Sequence, residues 1–263
     1  MTAIRTIFII TALALSGCAS NRASNPADPF EPMNRGIYKF NDTVDKAVVK
    51  PVARGYKAVM PNVGRIMVSN FFSNLDDIDV TANDLLQFKL IQGWSDALRF
   101  VVNSTIGILG TIDLASKAGL PKHDEDFGQT LGKWGLGNGP YLVLPILGPS
   151  TLRDSAGLYV DGYASPIYRL KDMQTRNQAY LTRGVNRRAQ LLDQEKILDA
   201  AMIDPYQFIR DAYLLRRKSQ VYDGHPPRPN YNYDDGQGDD ALPSPAPGTP
   251  SSATDNPPQN APR

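Results

Sequence analysis

The sequence predicts an all-α protein, a single domain of many short helices, and three observations carry that reading. Apolar residues return at 3.6-residue spacing in separate bursts, strand-like alternation is scarce, and 21 Gly and 21 Pro among 263 residues punctuate the bursts. In the first burst Ile37, Phe40, Val44, Ala47 and Val48 share one helical face, and Pro51 opens or kinks a following segment that holds Tyr56 and Val59. Val63, Ile66, Met67, Asn70 and Phe71 make a second stripe. Trp94, Ala97, Leu98 and Val101 make a third, widened by Phe100 and Val102. Asp204-Pro205 reads as an N-cap followed by Pro at the first helical position. Tyr206, Ile209, Ala212 and Tyr213 line that last helix, and Arg216, Arg217 and Lys218 suit its negative end.

Two apolar stretches stand apart from these stripes. Val101 to Ile112 is interrupted by Asn103, Gly107 and Gly110, and reads either as a buried core segment or as a presented one. Tyr141 to Leu147 is broken by Pro145 and flanked by Gly135, Gly137, Gly139, Pro140, Gly148 and Pro149. Neither a long helix nor a central strand is comfortable with that punctuation. A hydrophobic hairpin fits, tucked into a core or presented to lipid. No stretch is long enough to span a bilayer as a helix.

At the N-terminus, Arg5 precedes the apolar run Ile7 to Leu15, too short to cross roughly 30 Å of hydrocarbon but suited to a signal peptide. Leu15-Ser16-Gly17-Cys18 follows, and small residues before a lone cysteine resemble a bacterial lipobox, against the alternative of a core cysteine. Residues 1–17 are then a signal peptide and Cys18 the lipidated (palmitate-bearing) first residue of the mature chain. Residues 18–28 are a small, polar tether, residues 29–221 the folded body, and residues 222–263 a Pro-rich tail with too few apolar side chains to offset the entropy of ordering. Ala19 rather than Asp follows the cysteine. By the same resemblance the anchor lies in the outer membrane, with the protein on the periplasmic side.

Composition narrows the chemistry. A formal charge of +1 argues against a nucleic-acid surface, and a single cysteine excludes internal disulfides and Cys-rich metal sites. The two histidines, His123 and His225, leave little material for metal or acid–base work. An enzyme would have to start from His123-Asp124-Glu125-Asp126, which reads as a solvated acidic loop after Pro121, and no Gly-x-Ser-x-Gly elbow is present. The expectation is no enzyme, no cofactor and no metal.

A family resemblance enters with Asp126-Phe127-Gly128-Gln129-Thr130-Leu131-Gly132, Trp134-Gly135, Gly139-Pro140-Tyr141, Leu144-Pro145, Gly148-Pro149 and Leu152-Arg153-Asp154. Asp28-Pro29-Phe30-Glu31, Met33-Asn34-Arg35, Tyr38-Lys39-Phe40-Asn41, Ser69-Asn70-Phe71, Arg188-Ala189-Gln190-Leu191-Leu192-Asp193 and Asp204-Pro205-Tyr206 support it. In this order the residues resemble the MlaA (VacJ) lipoproteins over about Asp28 to Arg217. The resemblance implies an all-α ring in the inner leaflet of the outer membrane, with an amphipathic central channel. It implies removal of mislocalised phospholipids from the outer leaflet. It also implies a trimeric porin as partner, and a periplasmic lipid-binding carrier that feeds an inner-membrane ABC transporter.

Such a task has a physical logic. A headgroup crossing a bilayer meets a steep cost for unpaired charge, and a wet channel lowers it without breaking a bond. The resemblance places Gly139, Tyr141, Leu142, Leu144, Pro145 and Leu147 in a hairpin that controls the channel, and Tyr38, Phe40 and Asn41 in an N-terminal helix near its base. The alternative is a tight turn whose apolar residues fill the ring. Lys39 departs from the neutral polar residue common in the family, and Arg153 and Asp154 suit a structural ion pair. The competing class is an envelope scaffold without lipid-transfer activity.

Overall fold

The computed structural model describes residues 25–201 and 203–227, so Cys18, the signal peptide and most of the tail lie outside the described residues. The body is helical. In order come α1 (Glu31–Val44), a π-helical turn (Asp45–Val49), α2 (Lys50–Val59), α3 (Asn62–Leu86) and α4 (Leu90–Thr105). Then follow α5 (Leu114–Lys117), α6 (Phe127–Lys133), β1 (Tyr141–Leu144), β2 (Gly148–Thr151), α7 (Leu152–Ala164), α8 (Met173–Ala201) and α9 (Pro205–Val221). Among the described residues no helix is long and apolar enough to cross a membrane.

Local chemistry sets the element ends. Pro lies in the first turn of α1, α2 and α9, where its missing N–H has no helical partner to lose. Asp204 caps α9 as its sequence predicts, accepting from the Tyr206 and Gln207 amides at 3.0 and 3.2 Å. Asp126 caps α6 and Thr151 caps α7 in the same manner. Two helices run longer than the apolar bursts suggest: α3 has 25 residues and α8 has 29. In α3 the buried face is mostly polar (Asn74, Asp77, Asn83 and Asp84 beside Phe72 and Val80), so apolar spacing alone does not trace it.

Packing closes a circuit. α1 touches β1, β1 pairs with β2, β2 meets α7 and α9, and α7 crosses α6. α6 reaches α3, α3 meets α8, α8 packs on α2, and α2 returns through the π-helical turn to α1. The α6–α7 crossing needs two glycines. A Cβ on Gly157 would lie 2.4 Å from the Gly128 nitrogen, and one on Gly128 would lie 2.7 Å from Asp154 Oδ1. The apolar core is small and aromatic: Tyr141, Val143 and Tyr206, packed by Ile37, Tyr38, Tyr213 and Leu214. Tyr206 meets Tyr38 and Tyr141 edge-on, at centroid distances of 5.9 and 6.3 Å.

Two boundaries shift. Asp28, expected to end a solvated tether, is completely buried. It accepts from Asn34 Nδ2 (2.9 Å) and the Tyr206 hydroxyl (2.5 Å), with Arg210 at 3.3 Å, so a carboxylate in a polar run is the hub of three partners, two of them about 180 residues away. Asp223, placed in the tail, ion-pairs with Lys89 and Lys133, which carries the packed structure past α9.

Candidate functional site

The stripes on α3 and α4 are where the sequence places them, but they face outward, whereas Ile37 of α1 and Tyr206 and Tyr213 of α9 turn into the core. On α4, Trp94 and Val101 are exposed while Gly93, Asp96, Arg99 and Asn103 are buried. On α3, Val63 and Ile66 are exposed while the polar face is inside. Ile91 is 90% exposed and Phe88, in the α3–α4 turn at φ +61°, is 84% exposed. The segment after α4 presents Ile106, Ile108 and Leu109, the last two in left-handed backbone, so Val101 to Ile112 is a presented stretch rather than a core one. Burying an apolar side chain is worth about 1.5–3 kcal/mol over leaving it in water, and soluble monomers rarely expose such continuous apolar surface. The polarity of α3 and α4 is inverted.

Inside, charges are paired. Arg217 forks onto Asp126 (Nη1–Oδ2 2.6 Å, Nη2–Oδ1 2.8 Å) and also donates to Asp154 from Nε (3.0 Å) and Nη2 (2.8 Å). Arg153 pairs with Asp154 at 2.8 Å, as its sequence position suggests, and the Tyr213 hydroxyl donates to the same carboxylate. Burial alone would raise the Asp154 carboxyl, but Arg217 and Arg153 outweigh it and hold it down to about 2. Arg217, expected to suit the negative end of its helix, is a buried bridge between α6 and α7.

The acidic loop is likewise built in. His123 Nδ1 lies 2.8 Å from Asp96 Oδ2, Glu125 accepts from Gln87, Lys89 and Gln92, and Asp126 caps α6; only Asp124 is largely exposed. A solvated loop is what His-Asp-Glu-Asp suggests because its partners lie on α3, α4 and α9. Nearby, Asp84 is completely buried, accepts from Gln92 Nε2 at 2.8 Å, and has the buried Asp96 carboxyl beside it. Burial, and then that neighbouring carboxyl, push it well above the usual carboxylate range. The native state thus holds a proton that the unfolded chain, near pH 4, releases. Stability contributed by this proton is full below about pH 4 and is lost as pH rises through the raised native value. Asp84→Asn offers Asp96 an N–H donor in place of a protonated carboxyl, without titrating. Its unfolding midpoint is expected to vary less than wild type's between pH 5 and 8.5, checked by thermal melts in detergent across that range.

The hairpin is present. β1 and β2 pair antiparallel with Tyr141 opposite Thr151 and Leu144 opposite Gly148. Pro149 lies opposite Val143, whose N–H points away from β2, so the proline costs the ladder nothing. The outer edge of β1 is closed by α1. Asn34 Nδ2 donates to the Tyr141 carbonyl (3.0 Å) and the Val143 N–H donates to Asn34 Oδ1 (2.9 Å). Two helical turns on, Asn41 Nδ2 donates to the Leu144 carbonyl (2.9 Å) and the Ile146 N–H donates to Asn41 Oδ1 (2.7 Å). Ile146 sits at φ +66°, a costly conformation for a β-branched residue, and its amide is the one Asn41 holds.

The singled-out residues therefore divide. Tyr141 is a core anchor and Gly139, at φ +66°, shapes the approach to β1 with Leu152 against it. Leu142 and Leu144 are half-buried, while Pro145 and Leu147 are exposed at the tip beside Ile146. Tyr38 joins the aromatic core, and Asn41 holds the tip rather than the base of the hairpin. Phe40 faces outward at 52% exposure. Asn34 and Ile146 were not singled out; the seven-residue spacing of Asn34 and Asn41 on one helix face is the signal that finds the edge-closing pair.

Residues 26–220 match the family model described as MlaA lipoprotein. The chain belongs to the MlaA lipoprotein family. It is 37% identical over 219 residues to the intermembrane phospholipid transport system lipoprotein MlaA of Escherichia coli (strain K12), covering 79% of this chain and 86% of that one. It is 32% identical over 224 residues to the protein of the same description in Haemophilus influenzae, covering 82% and 89%. A solved chain from work on the structural basis for maintenance of bacterial outer membrane lipid asymmetry aligns with a TM-score of 0.66 at 33% identity, over 74% of this chain and 98% of that one. The family signature maps onto the scaffold: Asp126 and Asp154 hold Arg217, Gly128 permits the α6–α7 crossing, and the Thr130 hydroxyl donates to Asn83.

Proposed function

We propose that this member of the MlaA family is a phospholipid-transport lipoprotein of the outer membrane, held by acylated Cys18 on the periplasmic side. It takes mislocalised phospholipids from the outer leaflet and passes them through an amphipathic channel to a periplasmic lipid-binding carrier, upstream of an inner-membrane ABC transporter. A trimeric porin is its partner in the bilayer. The observation that carries the reading is the inverted polarity: Ile91, Phe88 and Trp94 outside, Arg99, Asp96 and Arg217 inside. Such a body lies in a lipid monolayer with its apolar side chains in hydrocarbon, while a polar interior carries the headgroup. Moving a lipid breaks no bond, so no nucleophile, metal or cofactor is required.

The hairpin tip is the gate in this reading. Pro145, Ile146 and Leu147 are exposed and apolar on a strained turn held by one amide, so the tip can move without unfolding the core. Leu147→Glu is expected to fold as wild type yet lower transfer of labelled phospholipid from proteoliposomes to the carrier by about tenfold or more, the cost of a charge at a hydrocarbon boundary. Wild-type transfer by that variant removes the gate. No transfer by the wild type itself favours the scaffold reading.

A further inference from the structure

We propose that the polar groove between α2 and α8 is a phosphate-binding subsite for a lipid headgroup, centred on Arg54. The assignment rests on the lipid-handling reading above and adds a ligand chemistry to one set of residues.

Lys50, Arg54 and Lys57 follow one another at helical spacing and line a cavity of about 330 Å³ whose far wall, on α8, carries Leu192, Asp193 and Glu195. A second cavity of the same size adjoins it through Asp193 and adds Arg65, Ser69 and Gln190. The outer two cations of α2 are neutralised: Lys50 pairs with Glu195 at 2.8 Å and Lys57 with Asp193 at 2.5 Å. Arg54 sits between them and has no hydrogen bond or ion pair among the described residues. Arg65 bonds only the neutral Asn62 there. Along the two cavities Lys50, Arg54, Lys57 and Arg65 face Asp193 and Glu195, a surplus of two positive charges. A phosphodiester carries one negative charge, and a guanidinium fork matches its two free oxygens.

The opposite edge of the same helix supplies the second half of the argument. At 100° per residue, Val52 and Val59, with Val48 just before them, lie across the helix from Lys50, Arg54 and Lys57, and all three valines are exposed. Ala53, buried, packs the face between. One helix of about 10–12 Å diameter therefore separates a cationic groove from an apolar surface. That is the reach over which a phospholipid presents phosphate at one end and acyl chain at the other. A site for a small free anion has no need of the valine edge.

The test uses the full lipoprotein in a maltoside detergent, titrated calorimetrically with three probes: dihexanoyl-phosphatidylglycerol, its glucosyl-dihexanoylglycerol counterpart without phosphorus, and inorganic phosphate. The expected result is saturable binding of the phosphatidylglycerol only, weakened about tenfold to a hundredfold by Arg54→Glu (the loss of a charge-assisted hydrogen bond), largely kept by Arg54→Lys, and reduced by added salt. Arg54 is exposed and unpartnered, so both variants are expected to melt like wild type. Phosphatidylglycerol binding unchanged in Arg54→Glu, or equal binding of the glucolipid, overturns the subsite. Arg54-dependent binding of inorganic phosphate as tight as that of the lipid overturns the headgroup assignment and leaves a free-anion site. Arg54-dependent lipid binding in a protein that fails to transfer lipid supports the subsite and counts against the transport reading instead.

Discussion

Arg217→Met is expected to lower stability by about 1.5–3 kcal/mol, the usual worth of hydrogen bonds to a charged group, because Asp126 is 40% exposed and can rehydrate. Arg217 is the only group that joins Asp126 to Asp154 in the described residues, and its removal strands Asp126 at the cap of α6 while Asp154 keeps Arg153. Since whole domains are stable by only about 5–15 kcal/mol, the melting temperature in detergent is expected to fall by roughly 3–12 °C. Arg217→Lys is expected to recover little, because one ammonium cannot fork across two carboxylates. Pairing Arg217→Met with Asp126→Asn, which keeps a cap while removing a stranded charge, is expected to restore part of the loss. A melt of Arg217→Met within a degree or two of wild type would refute the account. The same network sets acid behaviour: Asp154, held down to about 2, contributes stability that is present above about pH 4 and is lost as pH falls through about 2.

That network shows why part of the molecule is legible in its sequence and part is not. Period, punctuation and caps are local, so the helical class, the Asp204 cap and the apolar hairpin after Gly139 are readable from neighbouring residues. Pairing is not local. Asp126 and Arg217 stand 91 residues apart, and nothing near either one distinguishes a buried bridge from a solvated charge. Asp28 misleads for the same reason, since its partners Tyr206 and Arg210 are supplied by α9. Orientation is a third kind of information. A stripe such as Trp94, Leu98 and Val101 says that a helix has two unlike faces, yet its periodicity is identical whether apolar or polar residues turn inward. The buried polar residues at the same spacing (Asp96, Arg99 and Asn103) are the sign that α4 is turned outward, and they are visible only once the period is counted for polar residues as well.

If the outward stripes are lipid contacts, replacing Phe88, Ile91 and Trp94 together by Ser is expected to cut vesicle binding by about three orders of magnitude. The measurement is partitioning of the non-acylated chain onto phosphatidylethanolamine–phosphatidylglycerol vesicles, which isolates the body from its anchor. The three side chains are 84%, 90% and 69% exposed, so nearly all of their apolar surface is free to transfer into hydrocarbon. At about 1.5–3 kcal/mol each, full transfer supplies roughly 4.5–9 kcal/mol, and 1.4 kcal/mol is a tenfold change in partitioning; partial immersion brings the expectation to about a thousandfold. Their loss leaves the interior intact, because the buried face of α4 is Gly93, Asp96, Arg99 and Asn103 and none of these contacts depends on the outer stripe. The triple variant is therefore expected to melt within a few degrees of wild type in detergent while remaining in the supernatant with vesicles. Salt gives an independent check. Apolar insertion survives high ionic strength, whereas attraction of surface cations to anionic lipid is screened beyond about 10 Å at 0.1 M. Wild-type binding that disappears with salt, or a triple variant that binds as well as wild type, would mean that the exposed stripe meets something other than a lipid leaflet.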